Sequence, residues 1–345
     1  MAEPPTIYDR AAREALRRRN AVQPHAMKRF LNAFFKKAFS PEDAIALLPE
    51  SARDDFSRSL EFSVLREAER RKSKRDGAVK LLFRTPDGLP VESVLLHPET
   101  GRTALCVSSQ VGCACGCAFC ATGAMGFRRD LSAAEILDQV AFGARLARSE
   151  GRTLRNVVFM GMGEPLLNFD ALCEAMELLL GIPCFNFAPS RITVSTVGIP
   201  GRMERFFGRF PKVRPALSLH AARQDLRERL MPTARAHPLS QLRRALERLA
   251  ANGSVLIEYL LIDGVNDADV DLRALVEFLN GLPAHVNLIP FNAFAGCKLR
   301  GTPKPRRETF ALRLKEAGFK TTLRHSLGAD VEAACGQLAR ETSGT

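Results

Sequence analysis

The sequence predicts an α/β fold: a partial (β/α)6 barrel preceded by an N-terminal helical domain and a β-hairpin linker. Three observations predict it. From about residue 102, short β-branched runs alternate with longer helical stretches, which implies a parallel sheet. Six or so such units are too few for a closed eightfold barrel. The chain has 345 residues, 46% of them apolar, enough for a sizeable core and for more than one unit.

The elements follow in order. Residues 1–80 read as helical, with apolar residues at helical spacing over 12–19, 26–39 and 41–48, and a helix start at Ser40-Pro41-Glu42-Asp43. Two apolar runs, 79–84 and 91–96, flank Pro86-Asp87-Gly88 and read as a hairpin. The core strands are expected at 104–108, 156–160, 192–196, 216–219, 255–262, 286–289 and, more weakly, 320–323. Helices are expected at 132–149, 170–180, 239–251, 268–280 and 306–317, the first opened by the capping box Ser132-Ala133-Ala134-Glu135. These readings divide the chain into 1–77, 78–101, 102–325 and a tail, 326–345.

Lys and Arg number 50 against 38 Asp and Glu, a formal charge of +12. That argues against an acidic solvating protein and leans toward a polyanion or an anionic membrane surface. An Arg-rich genome would give an ordinary enzyme the same excess. Residues 1–80 hold 18 Lys and Arg against 12 acids, most sharply at Arg70 to Arg75, where a solvated face is the simpler reading. Residues 296–325 hold nine against two. The start has no apolar leader and no run is long enough to cross a bilayer, so a cytoplasmic protein with reduced thiols is expected.

In that setting clustered cysteines suggest metal binding or catalysis. There are nine, and four lie between 113 and 120. Cys113, Cys117 and Cys120 form a C-x3-C-x2-C set on a tight loop, and thiolates are what iron–sulfur clusters prefer. Zinc usually takes four protein ligands, and no second knuckle or histidine pair is near. Cys115 reads as incidental. Small polar residues recur at successive strand ends: Gly161-Met162-Gly163-Glu164-Pro165, Ser195-Thr196, Ser218-Leu219-His220 and Asn292. A nucleoside ligand needs such contacts, and Glu164 could accept from an ammonium group. Cys335 reads as a nucleophile or a small buried hydrophobe, and Cys106 carries the second of these alternatives.

The three-cysteine loop resembles the radical S-adenosylmethionine (SAM) superfamily. Cys-Val-Ser-Ser-Gln-Val-Gly-Cys at 106–113, Gly-Met-Gly-Glu-Pro at 161–165, Ser-Leu-His at 218–220 and Ala-Cys-Gly-Gln-Leu at 334–338 narrow it to a resemblance to the RlmN/Cfr family of RNA methyltransferases, from about residue 78 to the end. The resemblance implies a radical SAM barrel whose Cys113, Cys117 and Cys120 bind one 4Fe–4S cluster. It implies that Gly163, Glu164, Ser195, Ser218, Leu219, His220 and Asn292 line the SAM site. It also implies that Cys335 carries a methyl from one SAM, that a second SAM supplies a 5′-deoxyadenosyl radical, and that Cys106 resolves the enzyme–RNA adduct through a transient disulfide. Glu92 aligns with the family's base, with the Cys106 thiolate as a rival. The expected substrate is an adenosine of 23S rRNA, methylated at C2, and a tRNA anticodon-loop adenosine; methylation at C8, as in the Cfr branch, is the alternative. A different radical SAM enzyme and a zinc-stabilised RNA-binding module stand further off. The resemblance further implies a flavodoxin- or ferredoxin-type electron donor, no membrane, a monomer, and basic ends of the chain that grip RNA phosphate.

Overall fold

The computed structural model describes residues 4–98 and 101–338. The last seven positions of the expected tail, 339–345, lie outside the described residues. The N-terminal part is helical as far as residue 59. Helix Arg10–Arg19 starts at Asp9, whose carboxylate accepts from Ala11 N and Ala12 N, at 2.8 and 3.0 Å. Helix Pro24–Leu31 opens on a proline and runs into a π-helical turn, Asn32–Lys36. Helix Pro41–Ile45 starts at Ser40, whose Oγ accepts from Asp43 N, and helix Glu50–Ser59 follows. Phe30, Phe34, Phe35 and Phe56 fill the interior between them, with edge-on ring contacts such as Phe30–Phe56 at 5.8 Å.

The strands are β1 (Arg66–Lys72), β2 (Val79–Arg84), β3 (Pro90–Leu96), β4 (Thr103–Val107), β5 (Gln110–Gly112), β6 (Phe127–Asp130), β7 (Leu154–Phe159), β8 (Ile192–Thr196), β9 (Arg214–Ser218), β10 (Val255–Leu261), β11 (Ala284–Pro290) and β12 (Lys320–Leu323). Ten form one sheet in the order β1-β2-β3-β4-β7-β8-β9-β10-β11-β12, and β5 pairs with β6. Within the large sheet, every pairing from β4 to β12 is parallel, as a β/α alternation requires. The sheet does not close, so its strand ends form an open rim. Every expected core run is a strand.

Two expectations need correction. Residues 66–72 were expected to be helical and form β1, antiparallel to β2. Its near-continuous charge hides any alternation, and pairing with β2 overrides local propensity. The hairpin β2–β3 is also more than a connection: β3 pairs with β4 through Val94 and Cys106, so it continues the core sheet. Among helices, Pro200–Arg209 and Gln224–Leu230 were not anticipated, although Pro200 at the first position and Met203, Phe206 and Phe207 on one face carry the signal for the former.

One core cluster runs from Ile7 through the barrel to Leu314, so the front helices and the barrel share an interior. Asp138, on helix Ala133–Ser149, fastens them. Its buried carboxylate accepts from Tyr8 Oη (2.5 Å), Ser63 Oγ (2.9 Å), Val64 N (2.5 Å) and Leu65 N (2.8 Å). The expected capping box of this helix is present: Glu135 N donates to Ser132 Oγ and Ser132 N to Glu135 Oε2.

Candidate active site

A cavity opens at the C-terminal ends of the strands. Cys113, Cys117 and Cys120 line it, on the loop between β5 and a short helix, Ala121–Ala124. Backbone contacts shape that loop. Cys113 N donates to Gly126 O at 2.9 Å, Ala118 N to Leu230 O at 2.9 Å and Cys120 N to Cys117 O at 3.2 Å. At Gly112 (φ +76°) a Cβ would fall 1.9 Å from Gly126 O, so only glycine fits. Burial pushes the Cys117 and Cys120 thiols up, which a bound iron would reverse, because a coordinated thiol is deprotonated. Among the described residues no three His, Cys, Asp or Glu side chains converge to hold a single metal ion. Three thiols around one cavity suit a cluster, whose ligands sit on separate irons, better than one tetrahedral zinc. Cys115 also lines the cavity, and its thiol hydrogen-bonds Cys113, which lowers Cys113.

The Gly-Met-Gly-Glu-Pro turn follows β7. A Cβ on Gly161 would meet Ser108 Oγ at 2.6 Å, and one on Gly163 (φ +97°) would meet Gln110 Cβ at 2.5 Å. The two glycines let the turn pack on the end of β4 and the start of β5. Glu164 is thereby held inward: Gln110 Oε1 accepts from its N–H at 2.8 Å, and its carboxylate accepts from Leu166 N (3.1 Å) and Val197 N (2.8 Å). Burial nonetheless raises Glu164 to about 7, against the lowering effect of those bonds. A cationic ligand in the cavity would restore its charge.

Ser195 and Ser218, at the ends of β8 and β9, approach to 3.1 Å between hydroxyls. His220 has φ +53°; its Nδ1 accepts from Leu260 N at 3.0 Å, and burial holds it down to about 3. A neutral imidazole accepting at Nδ1 carries its proton on Nε2, so it is a donor there. Phe119 packs edge-on against that ring at 4.7 Å.

The cavity thus brings together the three cysteines with Gly163, Glu164, Ser195, Ser218, His220 and Cys335. Leu219 differs: its side chain is in the core, and only its backbone takes part, accepting from Arg227 Nε at 3.3 Å. Asn292 and Cys106 line a smaller adjoining cavity that shares Cys335, Arg324 and Met160 with the first. Asn292 Nδ2 donates to Cys335 O at 3.3 Å, so it holds the C-terminal segment. That segment is also tied down by Ala121 N to Gly336 O (2.7 Å), Gln337 Nε2 to Ala293 O (2.8 Å) and Thr122 Oγ1 to Leu338 O. Cys335 is exposed, whereas Cys106 is buried, and its thiol is pushed up to about 12 by burial and then by Cys335. Glu92 lines neither cavity. It is buried on β3 with Lys80 Nζ 2.9 Å from Oε1, on the strand face that carries Val94 and Leu96 to the smaller cavity.

Sequence reasoning missed Glu258 and Arg324. Glu258, the one acid of β10, is buried in the cavity wall and accepts from Asn287 Nδ2 at 3.1 and 2.9 Å. Arg324 directly follows β12. Burial pulls its guanidinium down, but Cys335, Glu258 and Cys106 face it and leave it raised. Its place just past a strand end was the available signal.

The model of the radical SAM superfamily matches residues 107–276. The chain is 44% identical to a probable RNA methyltransferase of Rhodopirellula baltica, over 95% of this chain and 86% of that protein. It is 43% identical to the dual-specificity RNA methyltransferase RlmN of Geobacter sulfurreducens, over 84% and 79% respectively. Its fold is similar to the crystal structure of a radical SAM methyltransferase from Sphaerobacter thermophilus, with a TM-score of 0.90 and 39% identity, covering 97% of this chain and 99% of that one.

Proposed function

The chain belongs to the RlmN family of radical SAM RNA methyltransferases, and from that premise we propose that it methylates C2 of one adenosine in 23S rRNA, and of an adenosine in tRNA anticodon loops. The superfamily implies an iron–sulfur cluster and SAM. In our reading Cys113, Cys117 and Cys120 hold a single 4Fe–4S cluster, and two SAM molecules are used per turnover. When bound, cluster and SAM together would supply a 5′-deoxyadenosyl radical, which removes a hydrogen atom from a carbon that no ordinary base could activate.

The residues divide the remaining work. Glu164 accepts from the SAM ammonium, and Ser195, Ser218 and neutral His220 offer hydrogen bonds to polar groups of the same ligand. Asn292 and the backbone at Leu219 hold this rim in place. Cys335 Sγ carries the methyl group. Once a hydrogen atom has left it, that carbon bonds the adenine ring. Removal of the ring proton falls to Glu92 or Cys106. The adduct's odd electron would pass to the bound cluster; Cys106 Sγ then bonds Cys335 Sγ as the Cys335 S–C bond breaks, the freed carbon takes a proton to complete the methyl group, the methylated base leaves, and an external thiol reduces the disulfide.

The observation that carries this reading is the cavity shared by Cys106 and Cys335, adjoining the three-cysteine cavity. A radical SAM enzyme of another class needs neither thiol. C2 rather than C8 follows the relatives that bear the RlmN name. We further propose a cytoplasmic monomer reduced by a flavodoxin- or ferredoxin-type donor; no helix among the described residues is long and apolar enough to cross a membrane. The deciding experiment is mass spectrometry of rRNA and tRNA nucleosides from cells with and without the gene. It should show 2-methyladenosine lost with the gene. Loss of 8-methyladenosine would assign the C8 reaction, and no change would refute the substrate.

A further inference from the structure

At the opposite end of the barrel from the catalytic cavity lies a groove between the N-terminal helices and the sheet. Six cations line it: Lys36, Lys37, Arg148, Arg152, Arg155 and Arg191. Among the described residues no carboxylate lines it, and none of the six enters a salt bridge. Glu150, which feels the charge of Arg152, is already bonded to Lys72 and His97.

The strands fix its position. On β7, Arg155 lines the groove and Phe159 the catalytic cavity. Arg191 precedes β8, whose Ser195 and Thr196 reach the cavity. At about 3.3 Å per residue the two sites lie roughly 13 Å apart through the sheet, and farther around the surface.

Helix C-termini attract cations, which accounts for Arg148 and for Lys36 at the end of its π-helical turn. Arg191 closes the single 3-10 turn Pro189–Arg191, and Lys37, Arg152 and Arg155 lie beyond such ends. The groove is also shaped in advance. Arg148 stacks over Phe39 at 4.3 Å and donates to Ala38 O at 3.4 Å. Two non-glycine residues of its wall, Ala38 and Asn186, hold φ +53° and +54°, a strained conformation that concentrates at functional sites.

We propose that this groove grips the phosphate backbone of the RNA substrate at a point remote from the reacting base. The proposal rests on the RNA methyltransferase reading. Unpaired cations without carboxylates suit phosphate, which they contact without reading sequence. A folded RNA is large enough to run around the barrel and touch both ends, whereas a short stem-loop in the cavity is not.

The test compares the triple variant Lys37→Ala, Arg152→Ala, Arg155→Ala with a charge-matched control, Arg58→Ala, Arg229→Ala, Arg248→Ala, all exposed and away from the groove. Binding of a roughly 30-base-pair RNA duplex is titrated at several KCl concentrations. The groove triple should lower the slope of log affinity against log salt by about 2 to 3 and weaken binding roughly tenfold near 0.1 M salt. The control should change both much less. Matching melting curves and cluster absorbance check that both variants fold. Equal effects of the two triples, or a groove triple that binds like the unaltered enzyme, overturn the proposal while leaving the RNA reading intact. If the unaltered enzyme shows no salt-dependent RNA binding, both fall. Unchanged RNA binding with lost reduction by a flavodoxin-type donor assigns the groove to a protein and overturns the proposal.

Discussion

Glu164→Gln separates two jobs of one buried carboxylate. In the folded chain Glu164 is raised from 4.5 to about 7 by burial. A carboxyl raised on folding contributes stability that is full below about 4.5 and is lost as pH rises through about 7. At about 1.4 kcal/mol per unit, the unaltered chain loses about 2 to 3 kcal/mol from this group between pH 5 and pH 8. Glutamine has no such loss. It does turn an amide toward one of the backbone donors, Leu166 N or Val197 N, at a cost of about 1 to 3 kcal/mol that is independent of pH. Urea denaturation without SAM should therefore find the variant less stable than the unaltered chain at pH 5 and close to it at pH 8. SAM affinity should behave differently. A charge-assisted hydrogen bond to an ammonium group is worth about 1.5 to 3 kcal/mol, so the variant should bind SAM roughly 10- to 100-fold more weakly at pH 8, by equilibrium dialysis. A variant binding SAM within twofold of the unaltered chain would remove Glu164 from the ammonium site. A stability difference that stays flat from pH 5 to 8 would refute the raised carboxyl.

Cys335→Ala should abolish RNA methylation, whereas Cys106→Ala should accumulate a protein–RNA adduct visible on a denaturing gel; full activity of the former would end the two-thiol mechanism. Gly163→Ala forces a Cβ to 2.5 Å from Gln110 Cβ at φ +97°, and should cost about 2 to 5 kcal/mol in urea denaturation and loosen SAM binding. Asp138→Ala leaves Val64 N and Leu65 N without their buried acceptor, and should cost about 3 to 5 kcal/mol, with faster hydrogen exchange over residues 4–65 before the barrel opens.

The site was legible where chemistry is compressed into adjacent residues. The three cysteines and the Gly-Met-Gly-Glu-Pro turn stood out because each is a local motif just past a strand end, and Cys335 because of its own short motif near the C-terminus, and the structure gathers them around one cavity. Glu258 and Arg324 were hidden because their meaning is non-local: one charge on an apolar strand and one past a short strand join only when the sheet curls. Leu219 illustrates the reverse. Lying between Ser218 and His220, it shares their motif, yet its side chain faces the core and its backbone does the work. The front of the chain reads as helix up to Ser59, where capping and apolar spacing are local signals. It fails at β1, whose strand character comes from pairing with β2.

That same β1 has a consequence for the protein in solution. It is an outer strand of a large sheet, the kind of edge along which two copies join and aggregate. Six of its seven residues are charged, and Arg70 with Glu67, Arg71 with Glu69, and Lys72 with Glu150 use up much of that charge within the molecule. The densest basic run of the chain therefore acts less as a handle for nucleic acid than as a guard rail. A second sheet approaching this edge would meet a crowded row of hydrated charges that it would have to strip of water before the two could pair.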